Sequence, residues 1–331
     1  MLGEFEAIKS LLLDTGRTRA DGYPASSDDS GVVLGAGDDA ALLACTPGCR
    51  QVVSVDTSVA DIHFPASAPA EAIGHRALAV SISDLAAMGA HPRWCLLALT
   101  LPDINASWVA DFARGFHALA RSLGVQLVGG DLTRGQLAAS VTVHGEVPAG
   151  MALRRDGAVE GDLIAVTGSL GNACGGLQRW QSGECAISTD PLLDAYLYPQ
   201  PRIQAGLVLR TLAHSAMDVS DGLVADLNHL CRASGVGAAL DIDSLPVSQA
   251  LEHYLGKEKA LEAALGGGDD YELLVTLPAQ SFAMAQQRLV ESGTRLTAIG
   301  QMTGEPGIQG IPEALASSAG WQHFTSQVAD Q

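Results

Sequence analysis

PAEAIGHRALAVSISDLAAMGA, residues 69–90, decides the fold. Its apolar residues recur at helical spacing and the stretch closes on glycine and alanine, which predicts a helix. On either side lie short runs that read as strands, QVVSVDT at 51–57 and WCLLALTLP at 94–102. A second predicted helix, SWVADFARGFHALARSLG at 107–124, precedes two more strands, VQLVGGDLT at 125–133 and LAASVTVHGEV at 137–147. Strands and helices in this order make an α/β (α+β) chain. Asp56 and Asp131 are expected at the carboxyl ends of their strands, where such folds commonly place ligands.

Around PAGMALRRDGAVEGD, 148–162, the pattern breaks into Pro, Gly and mixed charge. The expected boundary therefore separates residues 1–148 from 149–331. A second set of elements follows: strand DLIAVTG at 162–168, the glycine-rich GSLGNACGG at 168–176, AMDVSDG at 216–222 and a helix from 223 to about 234. GGGDDYELLVTL at 266–277 and a helix from about 280 to 293 complete it.

With 331 residues, 47% hydrophobic and 17% charged, the chain is globular and long enough for two cores. No run of about 18 apolar residues is present to span a bilayer. MLGEFEAIKSLLLDTG lacks the basic-then-apolar order of a signal peptide. Six cysteines without a CxxC pair read as reduced thiols, and a cytoplasmic location is expected. The formal charge of −18 argues against nucleic acid and anionic membrane as partners. Lysine occurs only at 9, 257 and 259, outside every glycine-rich loop. Phosphates, if handled here, must be neutralised by metal ions and a few arginines.

Acids recur in one setting, beside a strand and next to Gly, Ser or Thr. The instances are GDD at 37–39, SVDT at 54–57, SDL at 83–85, GGDLT at 129–133, DVSDG at 218–222 and GGDDYE at 267–272. Each alone also reads as an Asx turn, a solvated loop or a helix cap, with Ser220 or Asp221 capping the helix near Leu223. Together, in a chain nearly without lysine, they favour carboxylates shared by Mg²⁺, which binds through a few carboxylates, phosphates and water. The neighbouring Asp38 and Asp39 are tolerable if a cation sits beside them.

Other chemistries lack their residues. There is no GxxxxGK[ST], no HRD–DFG set, no GxSxG and no HExxH. Cys45 and Cys49 have no second soft pair to complete a metal site. GSLGNACGG follows a strand and opens a helix but departs from GxGxxG, and a tight turn accounts for it better.

The ordered set GDDAALL, VSVDTSVADIHF, ALAVSISDLAAMGAHP, LVGGDLTRG, LRRDGAVEGD, VTGSLG, MDVSDGL and GGDDYELL resembles the thiamine-monophosphate kinases, over nearly the whole chain. That family sits in the aminoimidazole ribonucleotide synthetase-like superfamily. The resemblance implies an N-terminal ATP- and Mg²⁺-binding domain whose sheet pairs with a second copy to form a barrel, and a C-terminal α/β domain completing the site. It implies metal ligands at Asp39, Ser54, Asp56, Asp84, Asp131, Asp218 and Asp221, with Val55 offering its carbonyl where the family usually has Thr. ATP contacts fall to Gly130, Asp131, Arg155 and Ser220. Thiamine phosphate contacts fall to His63, Asp269 (usually Glu) and Trp321. Without the resemblance, His63 packs beneath a loop, Arg155 is surface charge beside Arg154, and Trp321 in GWQHF anchors the tail.

The implied reaction is ATP + thiamine monophosphate → ADP + thiamine diphosphate, with several Mg²⁺ ions, in a homodimer. Its acceptor is a phosphate with a second pKa of about 6, already ionised near neutrality, so no general base is needed. Repulsion between two polyanions is the obstacle, and direct in-line transfer without a phosphoenzyme is expected. Another ATP-using member of the superfamily acting on a purine precursor, or a noncatalytic divalent-metal module, are the alternatives. ATP turnover with a panel of acceptors separates them.

Overall fold

A computed structural model describes residues 30–184 and 190–312. The chain divides into two compact units: Met1–Ala152 with Leu197–Thr211, and Leu153–Tyr196 with Leu212–Gln331. The first unit thus takes back a short later segment, which carries helix α5 (Ile203–Leu209).

In the first unit a small hairpin, β1 (Val32–Leu34) and β2 (Leu42–Leu43), precedes a four-stranded sheet. The sheet is built from β3 (Cys49–Val59), β4 (His91–Leu101), β5 (Gln126–Arg134) and β6 (Ala138–Pro148), in the order β3-β6-β4-β5. Only the β4–β5 pair is parallel. Helices α1 (Ala70–Ala87) and α2 (Ala106–Leu123) belong to the same unit. Nearly every residue of α1 is buried, as its mainly small and apolar composition requires. The two helices approach at glycines. A Cβ on Gly74 would stand 2.0 Å from the Phe112 carbonyl oxygen, and one on Gly115 would stand 1.9 Å from that of Glu71. Asn105 caps α2, its Oδ1 accepting from the amides of Ser107 and Trp108 at 3.0 and 3.3 Å, and Gly124 closes it in the left-handed region.

Two strands of this sheet, β3 and β4, run longer than the sequence predicts, while β5 and β6 keep the expected length. Antiparallel pairing with β6 continues along β3 as far as Val59 opposite Ala138, so Asp56 lies within the strand. Asp131 likewise lies inside β5, opposite Ala98. Neither stands at a strand's carboxyl end, because pairing with the neighbouring strand carries on past both, to Val59 and to Arg134.

The second unit has a six-stranded sheet of β7 (Leu163–Thr167), β8 (Ser215–Asp218), β9 (Gly237–Leu240), β10 (Leu273–Leu277), β11 (Leu296–Thr303) and β12 (Ile308–Gln309). Their order is β12-β9-β11-β7-β10-β8, antiparallel except between β12 and β9. Helices α3 (Asn172–Gln181), α4 (Pro191–Leu197), α6 (Leu223–Ser234), α7 (Gln249–Leu255), α8 (Lys257–Gly266) and α9 (Ala279–Glu291) accompany it. The apolar side of α6, through Leu223, Leu227 and Leu230, packs with Ile164, Val166, Leu274 and Ile299 of the sheet. No helix among the described residues is long and apolar enough to cross a membrane.

Candidate active site

In a strand successive side chains point to opposite faces, and β3 sorts its residues accordingly. Ser54 and Asp56 share one face, and that face meets α1. The Ser54 hydroxyl donates to Asp84 Oδ2 in the last turns of the helix, and Asp56 bonds the side chain of Ser81. Val55 points the other way and is 59% exposed, so only its backbone belongs near Ser54 and Asp56. Burial, and then the charge of Asp84, push the Asp56 carboxyl up to about 6, partly offset by the Ser81 hydrogen bond. Two carboxylates and a hydroxyl thus converge where ionising both acids is costly. This oxygen-only set fits a hard divalent cation, which would remove the repulsion.

The pairing register sets Asp131 apart. Asp56 pairs with Val141, and Val141 with Leu97, which pairs with Gly130. Asp131 is one residue further on, in the row of Ala98, Ser140 and Thr57, on the face that carries Val53 and Val55. Within one chain, Asp56 and Asp131 therefore occupy opposite faces and opposite edge strands. Gly130 needs to be glycine, since a Cβ there would stand 1.9 Å from the Leu97 carbonyl oxygen. Asp39 is exposed between β1 and β2, and its amide donates to Asp38 Oδ1 at 2.8 Å. Part of the Asp38–Asp39 pairing is thus a local turn bond. His63 follows β3, and its Nδ1 accepts the Val59 amide at 3.0 Å. That bond places the proton of the neutral ring on Nε2.

In the second unit two loops are tied together by three backbone hydrogen bonds. The amide of Asp269 donates to the Ser220 carbonyl at 2.8 Å, that of Tyr271 to Val219 at 2.9 Å, and that of Val219 to Glu272 at 2.8 Å. DVSDG and GGDDYE consequently lie side by side, with Asp218, Ser220, Asp221 and Asp269 on one cluster of loops. Asp269 has φ 69° and Tyr271 φ 49°, left-handed conformations that these bonds must hold. The Tyr271 hydroxyl donates to Asp269 Oδ1 at 3.0 Å and fixes that carboxylate.

Neither Ser220 nor Asp221 caps α6; its N-cap is Gly222, without a side-chain bond. The amides of Ser220, Asp221 and Gly222 are instead taken by Asp226 Oδ2. Burial, then Asp221 and Asp218, push the Asp226 carboxyl up to about 7, against the stabilising amides. Asp270 does similar work at the glycine-rich loop, accepting from Gly171 at 2.7 Å and Ala173 at 3.4 Å, with burial raising its pKa. These amides at the start of α3 are filled from within the chain, so the loop is a tight turn rather than a dinucleotide cradle. Sequence reasoning passed over Asp226 and Asp270. An acid in a helix's first turn was the available signal for Asp226.

Arg154 is paired with Asp156 at 2.8 Å, whereas Arg155 is exposed and its guanidinium has no ion-pair partner among the described residues. Trp321 lies outside the described residues. Among the described residues no three His, Cys, Asp or Glu side chains gather closely enough to hold one ion. The acids form separate small groups, Asp56 with Asp84 in one unit and Asp218, Asp221 and Asp226 in the other.

Two family models, AIR synthase related protein N-terminal domain and C-terminal domain, match residues 37–147 and 159–312. The fold and its acidic loops are those of an AIR synthase related protein. The thiamine-monophosphate kinase of Escherichia coli (strain K12) is 45% identical over 285 residues, covering 85% of this chain and 86% of the relative. A crystal structure of the thiamine-monophosphate kinase from Stenotrophomonas maltophilia K279a superposes with a TM-score of 0.81 at 45% identity, covering 85% of this chain and 92% of that one. AaThiL complexed with AMPPCP and TMP superposes with a TM-score of 0.75 at 31% identity, covering 84% and 89%. The chain belongs to the thiamine-monophosphate kinase family.

Proposed function

We propose that this protein transfers the γ-phosphoryl group of ATP to thiamine monophosphate, giving ADP and thiamine diphosphate with the help of Mg²⁺. The observation that carries the reading is the Asp56–Asp84 pair with Ser54, a half-buried oxygen-ligand set whose charges call for a cation. The family's activity and the AMPPCP and TMP held by AaThiL add support.

In this reading Asp39, Ser54, Asp56, Asp84, Asp131, Asp218 and Asp221, with the Val55 carbonyl, hold Mg²⁺. Bound Mg²⁺ would neutralise charge on both polyanions during transfer. Gly130 and Asp131 let the nucleotide approach the backbone of β5, and Ser220 contributes a hydroxyl. Arg155, unlike Arg154, has its guanidinium available for a phosphate fork. His63 donates from Nε2 to thiamine monophosphate, Asp269 accepts from it through the carboxylate that Tyr271 orients, and Trp321 stacks on its rings. No step requires a protein base, because the acceptor phosphate is already ionised.

The working form is a homodimer in the cytoplasm. The sheet face bearing Asp131, Val53 and Val55 is exposed in the single chain, and four strands are too few to close a barrel alone. Incubation with Mg²⁺, ATP and, separately, thiamine monophosphate, thiamine and purine ribonucleotide precursors tests the assignment. Product is expected with thiamine monophosphate alone; turnover with a purine precursor instead, or with none, overturns it.

A further inference from the structure

The amides of Ser220, Asp221 and Gly222 converge on one atom, Asp226 Oδ2, at 3.1, 3.2 and 3.2 Å. Successive N–H groups turned toward one point form a concave nest of the kind that receives phosphate or carboxylate. Here the occupant is internal. Asp226 is 1% exposed and sits in the first turn of α6, where its own amide donates to the Gly222 carbonyl at 3.0 Å. From the other side the same loop is gripped by backbone alone, through Asp269 to Ser220 and Tyr271 to Val219. Nor has the loop room to rearrange at Gly222, which has φ 119° and where a Cβ would stand 2.9 Å from the Gly266 backbone.

We propose that Asp226 is a positioning residue, filling this nest so that Ser220 and Asp221 present their side chains, not their amides, to Mg²⁺ and nucleotide. The inference rests on the kinase reading of those two residues. Two consequences follow from the geometry. ATP phosphate does not compete for these amides, since one carboxylate oxygen already takes all three. Metal affinity depends on Asp226 although Asp226 is no ligand, because the backbone carrying Asp221 is set by it.

Amide hydrogen exchange on the wild-type protein tests the first consequence and needs no variant. Ser220, Asp221 and Gly222 should be protected without nucleotide and gain little on adding Mg²⁺ and AMPPCP. Amides that exchange freely until the nucleotide is added would overturn the proposal. For the second, Asp226→Ala should raise the Mg²⁺ concentration for half-maximal activity about tenfold or more, with the KM for thiamine monophosphate nearly unchanged. Asp226→Asn keeps an acceptor oxygen in place and should recover most of that loss. A lower melting temperature with an unaltered Mg²⁺ requirement would mark Asp226 as merely structural and sink the idea. A wild-type protein that makes no thiamine diphosphate would instead refute the kinase reading, while the exchange result would still report on the nest.

Discussion

Asp56 is costly where it stands, and the cost predicts a trade. Burial and Asp84 oppose its ionisation, so Asp56→Asn relieves the metal-free protein while removing a ligand. In EDTA the variant should melt higher than wild type, by on the order of 1–3 kcal/mol of added stability at neutral pH, and lose phosphoryl transfer. Lower stability together with full activity would contradict a metal role. Titration should show the same strain. Asp56 near 6 and Asp226 near 7 both lie above the ordinary 3.8, so the folded chain holds more protons than the unfolded one between those values. The contribution of these two groups to stability in EDTA should be full below about pH 4 and be lost as pH rises to about 7, with Mg²⁺ lessening the loss through Asp56, as thermal melts across pH would reveal. Sequence displayed these acids but not their facing. Asp56 and Asp131 read alike as strand acids, and only the register puts them on opposite faces. Asp270 was hidden for another reason, since its partner Gly171 is 99 residues away.

At the scale of elements, periodicity carried far. The predicted helix at 69–90 is observed as Ala70–Ala87, and that at 107–124 as Ala106–Leu123. What periodicity left out is how they meet. Gly74 and Gly115 are ordinary helix-weakening residues until the crossing of α1 and α2 shows each lying against the other helix's backbone. Gly115→Ala should therefore destabilise, although alanine is the better helix former, by roughly 1–3 kcal/mol in urea unfolding. A stabilised variant would mean that the helices do not pack so closely. Strand limits were the weaker expectation, because alternation in VSVDTSV has no marker where pairing with β6 stops.

For the whole molecule, a boundary near 148–162 was visible as a break in composition, while the return of Leu197–Thr211 to the first unit was not. That return is written in close packing. A Cβ on Gly206 of α5 would stand 2.1 Å from the Ala86 carbonyl oxygen of α1, a fit no local pattern announces. Assembly offers a further test at this scale. Val53 and Val55 are 53% and 59% exposed on the sheet face that also carries Asp131. Val55→Glu places a charge there and should convert a dimer into a monomer in sedimentation, with activity falling in step; an active monomer would break the link between pairing and function. The central claim is tested most directly by following ATP labelled in its γ-phosphate. The label should appear in thiamine diphosphate, one for each ADP formed, with none retained on the protein. EDTA should stop the transfer and Mg²⁺ restore it. Label released only as inorganic phosphate, or transferred equally well without metal, would contradict the account.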